Sequence, residues 1–143
     1  MLLLSSTVAT ASGTGSLVEA TPDLMWAEFL LNVTAAATAA GDTLDVYVQA
    51  SVDAGTTWDD FIHFTQVLGN GGVKKELFRW QGMIAPTTAN AAPADAALAA
   101  ATIKQGPHGN LWRVKYVIVS ATAPSFTFSV KAAGHVKQIR ARS

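Results

Sequence analysis

The three histidines, His63, His108 and His135, are the side chains best suited to acid–base chemistry or metal binding in this 143-residue chain. None has a second histidine or a carboxylate at the spacing of a metal-ligand set, and the HExxH pattern is absent. Asp59 and Asp60 precede His63 closely, but side chains along a strand alternate between faces, so these three do not form one site. The sequence contains no cysteine, which excludes a thiolate nucleophile. We therefore predict that the protein binds no metal and no other cofactor.

Motifs of nucleophilic and phosphate-transfer enzymes are also missing. No Gly-x-Ser-x-Gly elbow offers a serine nucleophile, and no Walker-type or GxGxxG loop could hold a phosphate. The glycine-rich segment 69–74 lies between predicted strands, which is typical of a flexible hairpin tip. No pair of carboxylates stands out as an acid–base pair for glycoside hydrolysis. We predict that the protein is not an enzyme.

The most specific local motif is the segment SVDAGTTW at residues 51–58. It resembles the Asp-box of sialidase-like repeat proteins, whose pattern is Ser-x-Asp-x-Gly-x-Thr-Trp. In such a hairpin the aspartate accepts backbone N–H bonds, the glycine takes a conformation closed to other residues, and the tryptophan packs beneath. The resemblance implies a structural role for Ser51, Asp53, Gly55, Thr57 and Trp58. A sialidase would need several copies on a propeller and a much longer chain.

Apolar residues recur mostly with a period of two, which is the signal of strands that bury one face. Residues 25–34 and 43–52 are the clearest cases, and we interpret them as half-buried antiparallel strands separated by an Ala/Gly turn at residues 35–42. Strands of the same kind are predicted further along the chain, at 61–68, 73–80, 111–120, 125–130 and 133–141. This pattern predicts an all-β protein with a single antiparallel β-sandwich or jelly-roll-like domain over residues 16–143.

Two segments depart from the pattern of regular strands. Residues 82–109 show no strand signal, and ten of the seventeen residues from 85 to 101 are alanine. We predict a long loop there, with a short helix after Pro93, which lies either on the surface or against a neighbouring subunit. At residues 1–15 the leucines are too few for the apolar core of a secretory signal, so we expect an N-terminal arm or an edge strand.

Charge order is more informative than the net charge of 0, which comes from 10 bases and 10 acids. Residues 1–73 carry eight acids and no base, whereas residues 74–143 carry ten bases and two acids, so −8 balances +8. Cross-strand ion pairs or a head-to-tail contact between subunits would use this asymmetry. Zero net charge and low charge density favour association and argue against non-specific nucleic-acid binding. The most apolar stretch, 85–101, contains Pro, Asn and Asp, so no membrane span is predicted.

Two blocks of sequence resemble a group of small structural proteins of tailed bacteriophages. The first is TLDVYVQASVDAGTTWDDF at residues 43–61, and the second joins LWRVKYV at 111–117 to APSFTFSV at 123–130. The sequence departs from the phage pattern at Ala54 and Ala121, where glycine is usual. The resemblance covers about half of the chain and implies a non-enzymatic virion component, either a capsid decoration (cement) protein or a tail or neck subunit.

From the resemblance we predict a capsid decoration protein, located on the exterior of the virion after assembly in the host bacterial cytoplasm. It would form a homotrimer and bridge neighbouring copies of the major capsid protein, with no specific nucleic acid and no membrane as partner. Contacts with partners are predicted in the N-terminal arm, the long loop and the basic C-terminal segment, at Leu2, Leu3, Leu4, Leu98, Lys137, Arg140 and Arg142.

Two alternative functions remain open at this point. A tail, neck or collar subunit would stay within the virion, and a tail-tube protein should form rings. A carbohydrate-binding β-sandwich module would use exposed aromatic rings as stacking platforms. Four tryptophans motivate the carbohydrate hypothesis: Trp26, Trp58, Trp80 and Trp112.

Overall fold

Alternating apolar residues form eleven strands in the part of the chain that the computed structural model describes, residues 1–20, 24–82, 98–106 and 108–136. The long strands are β1 (Leu2–Ala9), β4 (Leu24–Ala36), β5 (Thr43–Ser51), β8 (Lys74–Gln81), β10 (Leu111–Val119) and β11 (Phe126–Val136). The short strands are β2 (Gly13–Thr14), β3 (Val18–Glu19), β6 (Asp59–His63), β7 (Val67–Leu68) and β9 (Thr102–Ile103). Over these residues the secondary structure contains no helix, which confirms the all-β prediction.

The strands form two antiparallel sheets that pack together, an arrangement consistent with the predicted β-sandwich. Sheet A has the order β1-β11-β4-β8, and sheet B has the order β2-β10-β5-β6-β9, with β3 paired to β10 and β7 paired to β5. Each sheet therefore combines strands from the acidic half of the sequence with strands from the basic half. Two cross-strand ion pairs join the halves, Glu28 with Arg79 (2.8 Å) and Asp60 with Lys115 (3.0 Å).

The core lies between the inward faces of the two sheets and follows the period of two. Along β4 the alternate residues are buried, and the alternation recurs in the first part of β5 and of β10, whereas the last four residues of β5 are all buried. The largest fully buried side chains are Trp112, Phe29, Phe61, Phe64, Phe126 and Phe128. Removing this apolar surface from water is the main force that holds the sheets together.

Strands β5 and β10 pair over nine residue pairs, from Thr43 opposite Val119 to Ser51 opposite Leu111. This long register brings the segment after β5 against the loop that precedes β10. A β-carbon on Gly109 would lie 1.9 Å from the Ser51 carbonyl oxygen, so only glycine fits there. The hairpin of residues 51–58 is thus held at a fixed position at the end of sheet B.

Several predicted elements differ from the structure in their connections. Residues 24–36 and 43–51 are strands, as predicted, but they belong to different sheets and do not pair with each other. The sequence could not show this, because periodicity indicates which face of a strand is buried and not which strand is its neighbour. The predicted strand 61–68 is divided into two strands, β6 and β7. Strand β11 runs without a break from the predicted strand 125–130 into the first part of the predicted strand 133–141. The predicted loop 82–109 contains β9, which pairs with β6. The helix predicted after Pro93 falls mostly on residues outside the described ranges, and its described part, residues 98–101, is not helical.

Residues 1–15 contribute a strand to each sheet. Strand β1 pairs with β11 at the edge of sheet A, and β2 pairs with β10 in sheet B. Leu3 is only 2% exposed and belongs to the core. The segment is therefore integrated into both sheets in this structure.

Candidate functional site

The carboxylate of Asp53 organises the turn between β5 and β6. It accepts hydrogen bonds from the backbone N–H of Thr57 (2.8 Å), the hydroxyl of Thr57 (2.7 Å) and the hydroxyl of Ser51 (2.8 Å). These donors stabilise the charged carboxylate and lower the pKa of Asp53 to about 2. The Ser51 hydroxyl also accepts a hydrogen bond from the Gly55 N–H (2.9 Å). The predicted motif residues are thus brought together in one hydrogen-bonded hairpin.

The indole of Trp58 closes the same hairpin from the outer face of sheet B. Its N–H donates to the Gly55 carbonyl oxygen (3.0 Å), and the Arg113 guanidinium lies 4.2 Å from the centre of its ring. Ala54 and Gly55 both have left-handed backbones, with φ of 58° and 86°. The left-handed conformation is favourable for glycine and strained for alanine.

Replacing Ala54 by glycine is expected to stabilise the protein. A left-handed alanine costs about 1–2 kcal/mol, whereas the added flexibility of glycine in the unfolded chain costs about 0.5–1 kcal/mol, so the free energy of unfolding should rise by about 0.5–1 kcal/mol. Urea denaturation measures the change. The matched control is Ala50→Gly in the buried, extended part of β5, which should lower stability. A less stable Ala54→Gly variant would contradict the assigned backbone conformation.

A second carboxylate, which the sequence did not single out, joins two turns at the opposite end of β5. Asp42 is fully buried and accepts hydrogen bonds from the hydroxyl of Thr122 and from the backbone N–H groups of Ala121 (2.7 Å) and Thr122 (2.9 Å). The Thr122 hydroxyl and these N–H groups hold the pKa of Asp42 well below its usual range, against the opposing effect of burial. Two aspartates therefore fix the two ends of β5.

The outer face of sheet B carries a continuous polar network. The Arg113 Nε donates to the Gln49 side-chain oxygen (2.7 Å), and the Gln49 amide donates to Asp60 (2.7 Å). The Lys115 ammonium contacts both Asp60 oxygens (3.0 Å each) and lies 4.2 Å from the centre of the Tyr47 ring. Burial, with the nearby acids as a smaller cause, raises the pKa of Tyr47. The charges on this part of the face have partners within the protein.

The histidines occupy three separate places. His63 is buried, its ring stacks on Tyr47, and its nitrogens face Asp45 (2.9 Å) and the Leu98 carbonyl oxygen (2.7 Å). His108 is half-buried against Phe61, and this burial lowers its pKa. His135 stacks on the ring of Trp26 at 3.9 Å. Over the described ranges no cluster of three or more His, Asp or Glu is placed to hold a metal ion.

The tryptophans fall into two groups by burial. Trp80 and Trp112 are 4% and 1% exposed, and their indole N–H groups donate to the carbonyl oxygens of Gly106 (2.8 Å) and Gly109 (2.7 Å). These bonds attach the loop before β10 to the core. Trp26 and Trp58 are half-buried on the outer faces of the sheets, and each has a partner stacked on its ring.

The outer face of sheet A holds a groove with a volume of about 570 Å³, which we call the apolar groove. Its lining residues are Met1, Leu2, Leu30, Leu77, Ala132 and Ala133, with Glu28 and Lys131. Strand pairing places Leu2, Lys131, Leu30 and Leu77 side by side, so one row crosses all four strands. Sequence periodicity could not reveal this row, because each strand contributes only one residue.

The residues predicted to contact a partner differ in exposure and in their position in the fold. Leu2 is 52% exposed and lines the apolar groove, whereas Leu3 is buried and Leu4 is half-buried against the core. Leu98 is half-buried, and its carbonyl oxygen contacts His63. The remaining predicted contacts lie outside the described residues: Lys137, Arg140 and Arg142.

Comparison with protein-family models, with curated proteins and with solved structures found no match to this chain. In the described part of the chain, no helix is long and apolar enough to cross a membrane.

Proposed function

We propose that the protein is a structural component of a tailed-bacteriophage virion, and specifically a capsid decoration protein that binds the outer surface of the assembled shell. The main support for this proposal is that the two phage-like sequence blocks are neighbours in space. Residues 43–51 form β5 and residues 111–119 form β10, and these strands pair along their full length. The remaining part of the second block supplies buried residues of β11. The resemblance is thus concentrated in the strands that organise the core, as expected for a shared scaffold.

The proposed assembly is a homotrimer that bridges copies of the major capsid protein on the virion exterior. In finer detail we propose a jelly-roll-like sandwich, with a short helix in the long loop after Pro93. A protein that binds the assembled shell but not free coat subunits stabilises the shell by mass action. A rigid domain suits this role, because little conformational entropy is lost when it binds.

The use of the polar side chains supports a structural role over catalysis. The carboxylates of Asp42 and Asp53 accept several hydrogen bonds within turns, and Asp60 is paired with Lys115. His63 is buried between Asp45 and a backbone carbonyl. Each of these groups is engaged in holding strands or turns together.

The four tryptophans give little support to a carbohydrate-binding module. Stacking on a sugar requires an open ring face, but Trp80 and Trp112 lie in the core. The rings of Trp26 and Trp58 are stacked on His135 and Arg113. A glycan-array signal that is lost in Trp26→Ala or Trp58→Ala would nevertheless favour that module over a virion role.

Binding to empty shells tests the proposed function. Shells assembled from the coat protein of the same phage, without this chain, should pull the purified protein down on sedimentation until a fixed number of sites per shell is filled. Unassembled coat protein is the matched control and should not bind. Electron microscopy should show added density on the shell surface. Rings formed by the purified protein alone, with no shell binding, would instead indicate a tail subunit.

A further inference from the structure

We infer that the apolar groove on sheet A is the surface that docks on the shell, and that it receives a protein surface of apolar side chains flanked by carboxylates. This inference rests on the proposed function and identifies the face and the chemistry of the partner. Its two supports are the row of exposed apolar side chains and the charges around that row.

The apolar side chains of the row lie on both sides of Lys131, with Met1 and Leu2 on one side and Leu30 and Leu77 on the other. Met1, Leu2 and Leu77 are 45%, 52% and 56% exposed, and Leu30 lies between the two leucines in the same row. Single exposed leucines are ordinary on protein surfaces. A row that crosses a whole sheet and borders a groove is a patch of the kind that marks protein contacts. Because Leu2, Leu30 and Leu77 extend from paired strands, the patch is already in place before a partner arrives.

The charges around the groove are mainly positive. On β8, Lys75 and Arg79 flank Leu77, and Lys131 lies within the row itself. Glu28 is the acidic residue of the lining and pairs with Arg79, which remains 62% exposed. In the described ranges neither Lys75 nor Lys131 makes an ion pair. Carboxylates on the partner would complement these cations.

The same charges disfavour a second copy of this chain as the occupant. In a two-fold symmetric contact the face would meet itself and bring Lys75, Arg79 and Lys131 close to their own copies. Like charges facing each other across an interface cost binding free energy. A different chain with acidic residues around an apolar surface fits without that cost.

The opposite face of the sandwich offers less for a partner to bind. On sheet B the side chains of Arg113, Gln49, Asp60 and Lys115 already bond to one another. A partner would have to break these contacts in order to use the same atoms. The apolar groove therefore offers a partner more side chains that are not already bonded within the protein.

Two exposed aliphatic residues provide a matched test of this inference. Leu77 lines the groove on sheet A and Val119 lies on sheet B, and both are 56% exposed. Leu77→Asp should raise the Kd for empty shells about tenfold or more, because it removes an apolar contact and adds a charge that repels carboxylates. Val119→Asp should leave the Kd unchanged. Both variants should keep the wild-type melting temperature, and Leu2→Asp serves as a second groove variant.

The charge of the partner is tested separately with Lys131→Glu. Wild-type binding should weaken as NaCl concentration rises, and the variant should bind less tightly with a smaller salt dependence. An unchanged Kd and salt dependence in this variant would overturn the assigned partner chemistry.

The outcomes separate the inference from the proposed function. If the wild-type protein does not bind shells, the proposed function is wrong. If it binds and Leu77→Asp and Leu2→Asp bind equally well, the shell is contacted elsewhere and the inference is wrong. Sedimentation velocity provides the third outcome: a wild-type oligomer that becomes a monomer in Leu77→Asp would show that the groove joins copies of this chain, which also overturns the inference.

Discussion

Replacing Trp112 by alanine is expected to destabilise the protein by about 3–5 kcal/mol, the usual cost of removing a large aromatic side chain from a core. Trp112 is 1% exposed, and its ring lies 5.3 Å from that of Phe29, 5.6 Å from that of Phe61 and 5.6 Å from that of Trp80. Three aromatic partners from both sheets would lose contacts at once. Because most domains are stable by only about 5–15 kcal/mol, this variant should be largely or partly unfolded on warming.

Two further variants separate the contribution of the buried ring from that of the indole hydrogen bond and provide a control on the outer face. Trp112→Phe keeps a ring in the core but removes the indole N–H that donates to the Gly109 carbonyl oxygen, so its loss should be smaller. Trp58→Ala removes a half-buried indole on the outer face and should also cost less than Trp112→Ala. Urea denaturation monitored by circular dichroism gives the three free energies. A smaller loss for Trp112→Ala than for Trp58→Ala would contradict the central position of Trp112.

Acid is expected to destabilise the protein steeply as the pH falls from about 4 towards 2, because the unfolded chain then binds protons at Asp42 and Asp53 that the folded chain binds only at lower pH. The ordinary pKa of both carboxylates is 3.8, and hydrogen bonds in the folded chain lower it to about 2 for Asp53 and well below its usual range for Asp42. A carboxylate with a lower pKa in the folded state stabilises the fold above pH 3.8. This contribution is lost as the pH falls through the folded-state value.

Asparagine variants isolate this effect. Asp42→Asn and Asp53→Asn should melt several degrees below the wild-type protein at pH 7, since an amide cannot accept the same set of hydrogen bonds. The difference should shrink towards pH 2, because the unfolded wild-type chain is protonated at these carboxylates below pH 3.8, and the loss for Asp42 should continue to lower pH than the loss for Asp53. Titration of His108, whose pKa is lowered by burial, cancels when variants are compared at the same pH. Glu19→Gln, at an exposed site, is the control variant and should keep the wild-type melting temperature at pH 7. A gap that stays constant down to pH 2 would contradict this account.

Strand positions and buried faces were predictable because they depend on near neighbours in the sequence. Ala27, Phe29, Leu31 and Val33 share one parity, and the structure buries all four. The pairing of strands was less accessible, since β4 and β5 follow each other in the chain but lie in different sheets. The choice between an arm and an edge strand for residues 1–15 was also open, because it depends on whether β11 has a free edge.

The parts of the candidate site that depend on local contacts were also predictable from the sequence, and the parts that depend on distant contacts were not. The residues of the hairpin at 51–58 bond within a few positions of one another, so a sequence motif could describe them. Asp42 bonds to residues that are 79 and 80 positions away, and nothing beside it in the sequence marks it out. The apolar groove combines single residues from four strands. Its row is visible only when the register of sheet A is known.

The mixing of early and late strands in both sheets means that neither sheet can close while the ribosome is still making the first half of the chain. Strand β4 needs β8 and β11, and β5 needs β10 as its second neighbour, so within residues 1–73 β5 can pair with β6 and β7 but β4 has neither of its partners. That nascent segment carries eight acids and no base, and mutual repulsion keeps such chains apart in solution. The basic strands then neutralise the charge as they dock, when Arg79 reaches Glu28 and Lys115 reaches Asp60. The order of charges along the sequence thus gives the unfinished chain a net charge of −8 that the finished chain, with a net charge of 0, no longer carries.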